Sequence, residues 1–100
     1  MLLTSILYLG ERDFPAVLRC VLEVLDMWDD LGMALGLPMA EIKVIKKDES
    51  TSKDRMKAVL SAWLCGRGLD PTWQVLCNAL RDELVGRADI AEKIPLSKRV

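Results

Sequence analysis

Met56-Lys57-Ala58-Val59-Leu60-Ser61-Ala62-Trp63-Leu64 is the stretch whose spacing decides the fold class. Its large apolar residues, Met56, Val59, Leu60, Trp63 and Leu64, fall at i, i+3, i+4, i+7 and i+8, which is one face of an α-helix. A strand would need alternation with period two, and no window of comparable length in the chain alternates that way. Thr51 with Asp54 has the T-x-x-D form of a capping box, with Asp where Glu is preferred, so the helix begins there. Gly66 and Gly68 end it.

The same period recurs on both sides. Downstream, Asp70-Pro71 opens a helix with Trp73, Leu76, Cys77, Leu80 and Leu84 inward, and Gly86 breaks it. A short last segment carries Ile90, Ala91 and Ile94 inward and stops at Pro95. Upstream, Pro38 opens a helix with Met39, Ile42 and Ile45 inward and Lys43, Lys46 and Lys47 outward, followed by the polar loop 48–52. Trp28, Leu31 and Leu35 form a short helix closed by Gly36. Phe14, Val17, Leu18, Val21, Leu22 and Leu25 lie on one stripe of a first helix, with Asp13 as its cap and Pro15 in its first turn. Six amphipathic helices with one stripe each, joined by loops of two to seven residues, predict an all-α antiparallel bundle. The three tryptophans are expected in its core.

The totals narrow the function. One hundred residues make one domain, expected over 13–95, with an apolar lead-in at 1–12 and a basic tail at 96–100. Met1 to Leu9 has no basic start and no small-residue cleavage site, and it is far short of the ~20 residues that span a bilayer. It reads as a lead-in packed on the domain or as the remnant of a segment upstream. There is no histidine, and Cys20, Cys65 and Cys77 show no C-x-x-C spacing. A zinc site and the histidine-based nucleophile pairs therefore have nothing to build from, and three buried thiols in a reducing compartment are expected. The acid pairs Asp29-Asp30, Asp48-Glu49 and Asp82-Glu83 point about 100° apart on a helix, so they do not converge on a substrate. No glycine-rich phosphate loop or G-x-S-x-G elbow is present. We expect no catalytic residue, no metal, no cofactor and no small-molecule substrate. A helical DNA-binding domain is the alternative of a different class, but a net charge of −1 and a pI near 5.4 oppose nucleic-acid binding.

Trp28-Asp29-Asp30-Leu31-Gly32-Met33-Ala34-Leu35-Gly36-Leu37 resembles the helix-2 signature of death domains, a Trp followed by L-[AG]-x-x-L-G-L. Glu41-Ile42-x-x-Ile45 resembles their helix 3, and Met56-x-x-Val59-Leu60-x-x-Trp63-Leu64 their helix 4. Pro71-Thr72-Trp73-x-x-Leu76-x-x-Ala79-Leu80 resembles helix 5, and Ala91-Glu92-Lys93-Ile94 the closing helix. The likeness runs in order over about residues 14–94. It implies a six-helix Greek-key bundle that assembles homotypically with other death domains in apoptotic or innate-immune signalling. It also implies a cytoplasmic protein, or the intracellular part of a larger one, with no membrane insertion of this domain. Arg87-Ala88-Asp89-Ile90 loosely resembles the R-x-D-L element of death effector domains. An effector-type or caspase-recruitment adaptor is therefore the alternative within the superfamily, against which the Trp28 and Trp63 pair stands.

In such a module the chemistry is surface complementarity. Residues 11–30 hold six acids and two bases, whereas 41–57 hold six bases and four acids. Glu23, Asp26, Asp29 and Asp30 on the first two helices are expected to form one patch. Lys43, Lys46, Lys47, Lys53, Arg55 and Lys57 on the next two are expected to form another, on a different face. These ten are the candidate partner-binding residues. Patches of opposite sign on one molecule permit head-to-tail contact.

Overall fold

Gly36 stops the second helix where the sequence places its end, whereas the first and fifth helices stop short of the ends of their apolar stripes, and these stops set the path of the chain. The computed structural model describes residues 8–66 and 71–94, and among them lie six α-helices and no strand. They are α1 (Phe14–Cys20), α2 (Trp28–Leu35), α3 (Met39–Asp48), α4 (Ser52–Cys65), α5 (Trp73–Arg81) and α6 (Ala88–Lys93). Short 3-10 helices run over Glu11–Asp13 and Leu22–Met27. The longest helix, α4, packs against α1, α2 and α3, while α5 and α6 pair with each other and α5 also meets α2.

The stripes of α4 and α2 close as their spacing predicts. Met56, Val59, Leu60 and Trp63 are wholly buried, Leu64 nearly so, and Trp28, Leu31 and Leu35 face them from α2. At the end of α2 Gly36 takes φ 102°, a left-handed conformation open to glycine. The N–H of Leu37 donates to Gly32 O at 3.0 Å and that of Gly36 to Met33 O at 3.1 Å, so the last carbonyls are satisfied as the chain turns. The Thr51 hydroxyl accepts the Asp54 N–H at 3.1 Å and starts α4 as expected. Leu9 is buried, and its N–H donates to Pro71 O at 2.7 Å, which ties the approach to α1 to the approach to α5. Residues 1–7 of the lead-in, Gly68, Asp70, Pro95 and the tail at 96–100 lie outside the described residues.

Several expectations are corrected. The first helix does not run from 14 to 25. It ends at Cys20, and the chain continues as a 3-10 helix in which Val24 departs from helical angles (φ −125°, ψ 27°). A 3-10 helix has three residues per turn, so Val21 and Val24 align and both are fully buried, while Leu22 is turned out. Asp13 makes no side-chain cap to α1; its carboxylate instead accepts the N–H of Gly10 at 2.9 Å. The start of α5 is capped by Thr72, whose hydroxyl accepts the Val75 N–H at 3.1 Å. Met39 is about half exposed because Leu37, just before Pro38, takes the buried place at that corner. Leu84 is likewise turned out: α5 ends at Arg81, the period is lost, and Val85 fills the core instead. Of the cysteines only Cys77 is buried. Cys20 is half-buried, and Cys65 is exposed off the α4 stripe, its thiol 3.9 Å from Glu11 Oε1. Trp73 is half-buried at the start of α5.

Candidate functional site

The surface between α2 and α3 collects most of the chemistry. The Arg55 side chain, at the start of α4, reaches back across it. Its Nε–H donates to Glu49 O at 2.8 Å and its Nη2–H to Lys46 O at 3.0 Å, so the guanidinium closes the C-terminal turn of α3. The same group lies over the ring of Trp28, 5.4 Å from its centroid. Arg55 is half-buried as a result. Beside it runs a groove of about 420 Å³. Trp28, Met33, Met39 and Ile42 line its apolar part, and charged residues of both signs line the rest.

The charged residues are therefore arranged differently from the expected pair of separate faces. Asp26 and Asp29, from the end of the 3-10 helix and the start of α2, line the same groove as Lys43 and Lys46 of α3 and Arg55 of α4. The chain carries an acidic wall and a basic wall across one groove, because α2 and α3 pack side by side. Asp29 and Asp30 are half-buried in the first turn of α2, where carboxylates complement the helix dipole, and Asp29 Oδ1 accepts the Asp30 N–H at 2.9 Å. Lys47 in the last turn of α3 and Lys53 and Lys57 on α4 are exposed.

Glu23 stands apart. It is exposed on the 3-10 helix and takes the Lys93 Nζ–H at 3.0 Å, with Arg87 Nη2 at 3.9 Å. Arg87 forks onto Asp89, Nε to Oδ1 and Nη2 to Oδ2, both at 3.1 Å. The hydrogen bonds of this fork hold the Asp89 carboxyl below its ordinary range and raise Arg87 above its own. The element that resembles R-x-D-L is thus paired within the chain and linked to the 3-10 helix. Among the described residues no three of His, Cys, Asp and Glu are grouped so as to hold a metal ion. No described helix is long and apolar enough to cross a membrane.

Two groove residues, Met33 and Met39, carry no charge and gave no signal as partner-binding residues in the sequence. A turned-out methionine at a helix start is visible only once the corner at Leu37 and Pro38 is known.

Six helices, the buried Trp28 and Trp63, and the glycine-closed α2 fit one family, and a scan against protein families finds the Death domain over residues 15–96. The chain belongs to the Death domain family. Its fold is accordingly the all-α death fold, a six-helix antiparallel Greek-key bundle. Death domains are protein-interaction modules that bind other death-fold domains, and they are not enzymes. Neither the curated proteins nor the solved structures contain a match. In this Death domain the groove between α2 and α3 is the candidate interaction surface.

Proposed function

We propose that this Death domain assembles homotypically, with copies of itself or with the death domain of an adaptor, in cytoplasmic apoptotic or innate-immune signalling. The observation that supports this most is the groove whose acidic wall (Asp26, Asp29) faces a basic one (Lys43, Lys46) over Trp28 and Ile42. Arg55 lines the groove beside Trp28; Asp30, Lys47, Lys53 and Lys57 extend the two signs around it; and Glu23, paired with Lys93, is a separate acidic candidate. Apolar lining gives a contact its energy, and charge placement selects the partner and raises the association rate. Single exposed ion pairs contribute only about 0–1 kcal/mol, so binding gains strength when several subunits engage together.

The test is sedimentation of the pure chain, alone and with other death domains, across ionic strength. Association is expected to weaken as the Debye length shortens towards ~10 Å at 0.1 M salt and below. The same complexes at low and high salt would reject charge-selected assembly. A shift of duplex DNA at low salt would instead favour a nucleic-acid-binding module.

A further inference from the structure

The corner between α5 and α6 holds a leucine at the surface by design of its hydrogen bonds. Asp82 O accepts the N–H groups of Val85 at 3.0 Å and Gly86 at 2.7 Å, and Arg87 N–H returns to Leu80 O at 2.8 Å. The Asp82 carboxylate accepts the Leu84 N–H at 3.0 Å, and Gly86 adopts φ 64°. Val85 is buried beneath. Leu84 is therefore a fixed apolar knob, 49% exposed, with exposed Arg81, Asp82 and Glu83 just before it. Such a feature loses little freedom on docking.

We propose that the occupant of the groove between α2 and α3 is this corner of a second copy of the chain, Leu84 entering between Met33 and Met39. The charges match: Asp82 and Glu83 face the basic wall of Lys43 and Lys46, and Arg81 supplies the cation for Asp26 and Asp29. Neither Lys43 nor Lys46 forms an ion pair among the described residues, so both are available. Knob and groove share no residue. A copy that inserts its knob keeps its own groove open, so the contact repeats into a ring or a filament. This rests on the homotypic reading above and names the surfaces that carry it.

The experiment uses the whole 100-residue chain at low salt, with sedimentation velocity as the readout. Leu84→Ser removes the knob, and Lys43→Glu with Lys46→Glu reverses the basic wall. Both changes are at exposed positions, and circular dichroism confirms that the helices remain. Each variant alone is expected to self-associate about tenfold or more weakly than the parent chain. Mixed one to one, they are expected to give a two-chain species and nothing larger, since only one knob and one groove remain intact. Leu84→Ser assembling like the parent, or a mixture that stays monomeric, overturns the proposal. A parent chain that is monomeric at every concentration also overturns it. If that monomer still takes up another death domain, the homotypic function stands and only this contact fails; if it takes up none, both fail.

Discussion

The Arg55 guanidinium sits 5.4 Å from the centre of the Trp28 ring while donating to two carbonyls at the end of α3. One side chain from α4 thereby joins three helices: it covers the α2 indole, closes α3 and holds the basic wall in place. Of the ten charged candidates it is the one whose side chain donates to backbone carbonyls of another helix while it covers an aromatic ring. Its bond to Lys46 O fixes the turn of α3 from which the Lys46 side chain projects.

Replacing Arg55 should therefore be felt first as stability. Arg55→Ala removes two charge-assisted hydrogen bonds and the stacking, a loss of about 1.5–3 kcal/mol. Arg55→Lys keeps the charge but cannot reproduce the planar fork, and it should recover little of that loss. Urea unfolding checks the size, and tryptophan fluorescence reports whether the Trp28 surroundings change. A lysine variant as stable as the parent would show that only charge matters there.

Gly32 on α2 shows how close its neighbours come. A Cβ at this position would lie 2.6 Å from Ile42 Cδ1 and 3.5 Å from the methyls of Val59. Gly32→Ala should gain helix propensity yet force the Ile42 terminal methyl aside, for a net destabilisation of about 1 kcal/mol. Ile42→Val deletes the methyl that clashes. The double variant should then lose less than the two single losses combined, and a double-mutant cycle by chemical denaturation measures that coupling. Additive losses would mean that Ile42 does not limit the site.

Acid should weaken the corner that carries α6. The Arg87 fork lowers the Asp89 carboxyl, so the folded chain holds that proton less readily than the unfolded one. Its stabilising effect is present above the ordinary aspartate range and is lost as pH falls through the lowered native value. Asp89→Asn should lower the Tm at neutral pH, and the gap to the parent should close on acidification. A gap that is the same at neutral pH and near pH 2 would show that the fork contributes nothing.

What the residues made legible was periodic. The stripes through Trp28, Met56 and Trp63 specify α2 and α4, and Gly36 marks its turn, because burial on a helix repeats with fixed spacing. What they concealed lay at the ends of helices. Leu22 and Leu84 fit a helical stripe on paper, but the chain leaves the α-helical period before each of them, at Val21 and at Asp82. Where a helix stops depends on hydrogen bonds such as Asp82 to Leu84 and on which neighbour, Val24 or Val85, reaches the core first. The candidate site was legible in charge and not in placement. The signs of Asp26 and Lys43 are plain in the sequence, whereas their meeting across one groove follows from the pairing of α2 with α3.

Trp63 gives the sharpest test of the core. It is wholly buried, and its indole N–H has no hydrogen-bond partner among the described residues. Two opposing terms follow from that. The ring fills the space between α4 and its neighbours, so Trp63→Ala should cost about 3–5 kcal/mol, a large part of what a domain of this size possesses. The lone N–H, stripped of water and left unpaired, works against folding by about 1–3 kcal/mol. Trp63→Phe keeps most of the aromatic surface and deletes that N–H, so the lost volume is partly offset, and it should be several-fold milder than the alanine change. Thermal and urea unfolding of the two variants decide it. A phenylalanine variant as damaged as the alanine one would mean that the indole nitrogen finds a partner in solution, and a fully folded alanine variant would mean that the core does not close on Trp63.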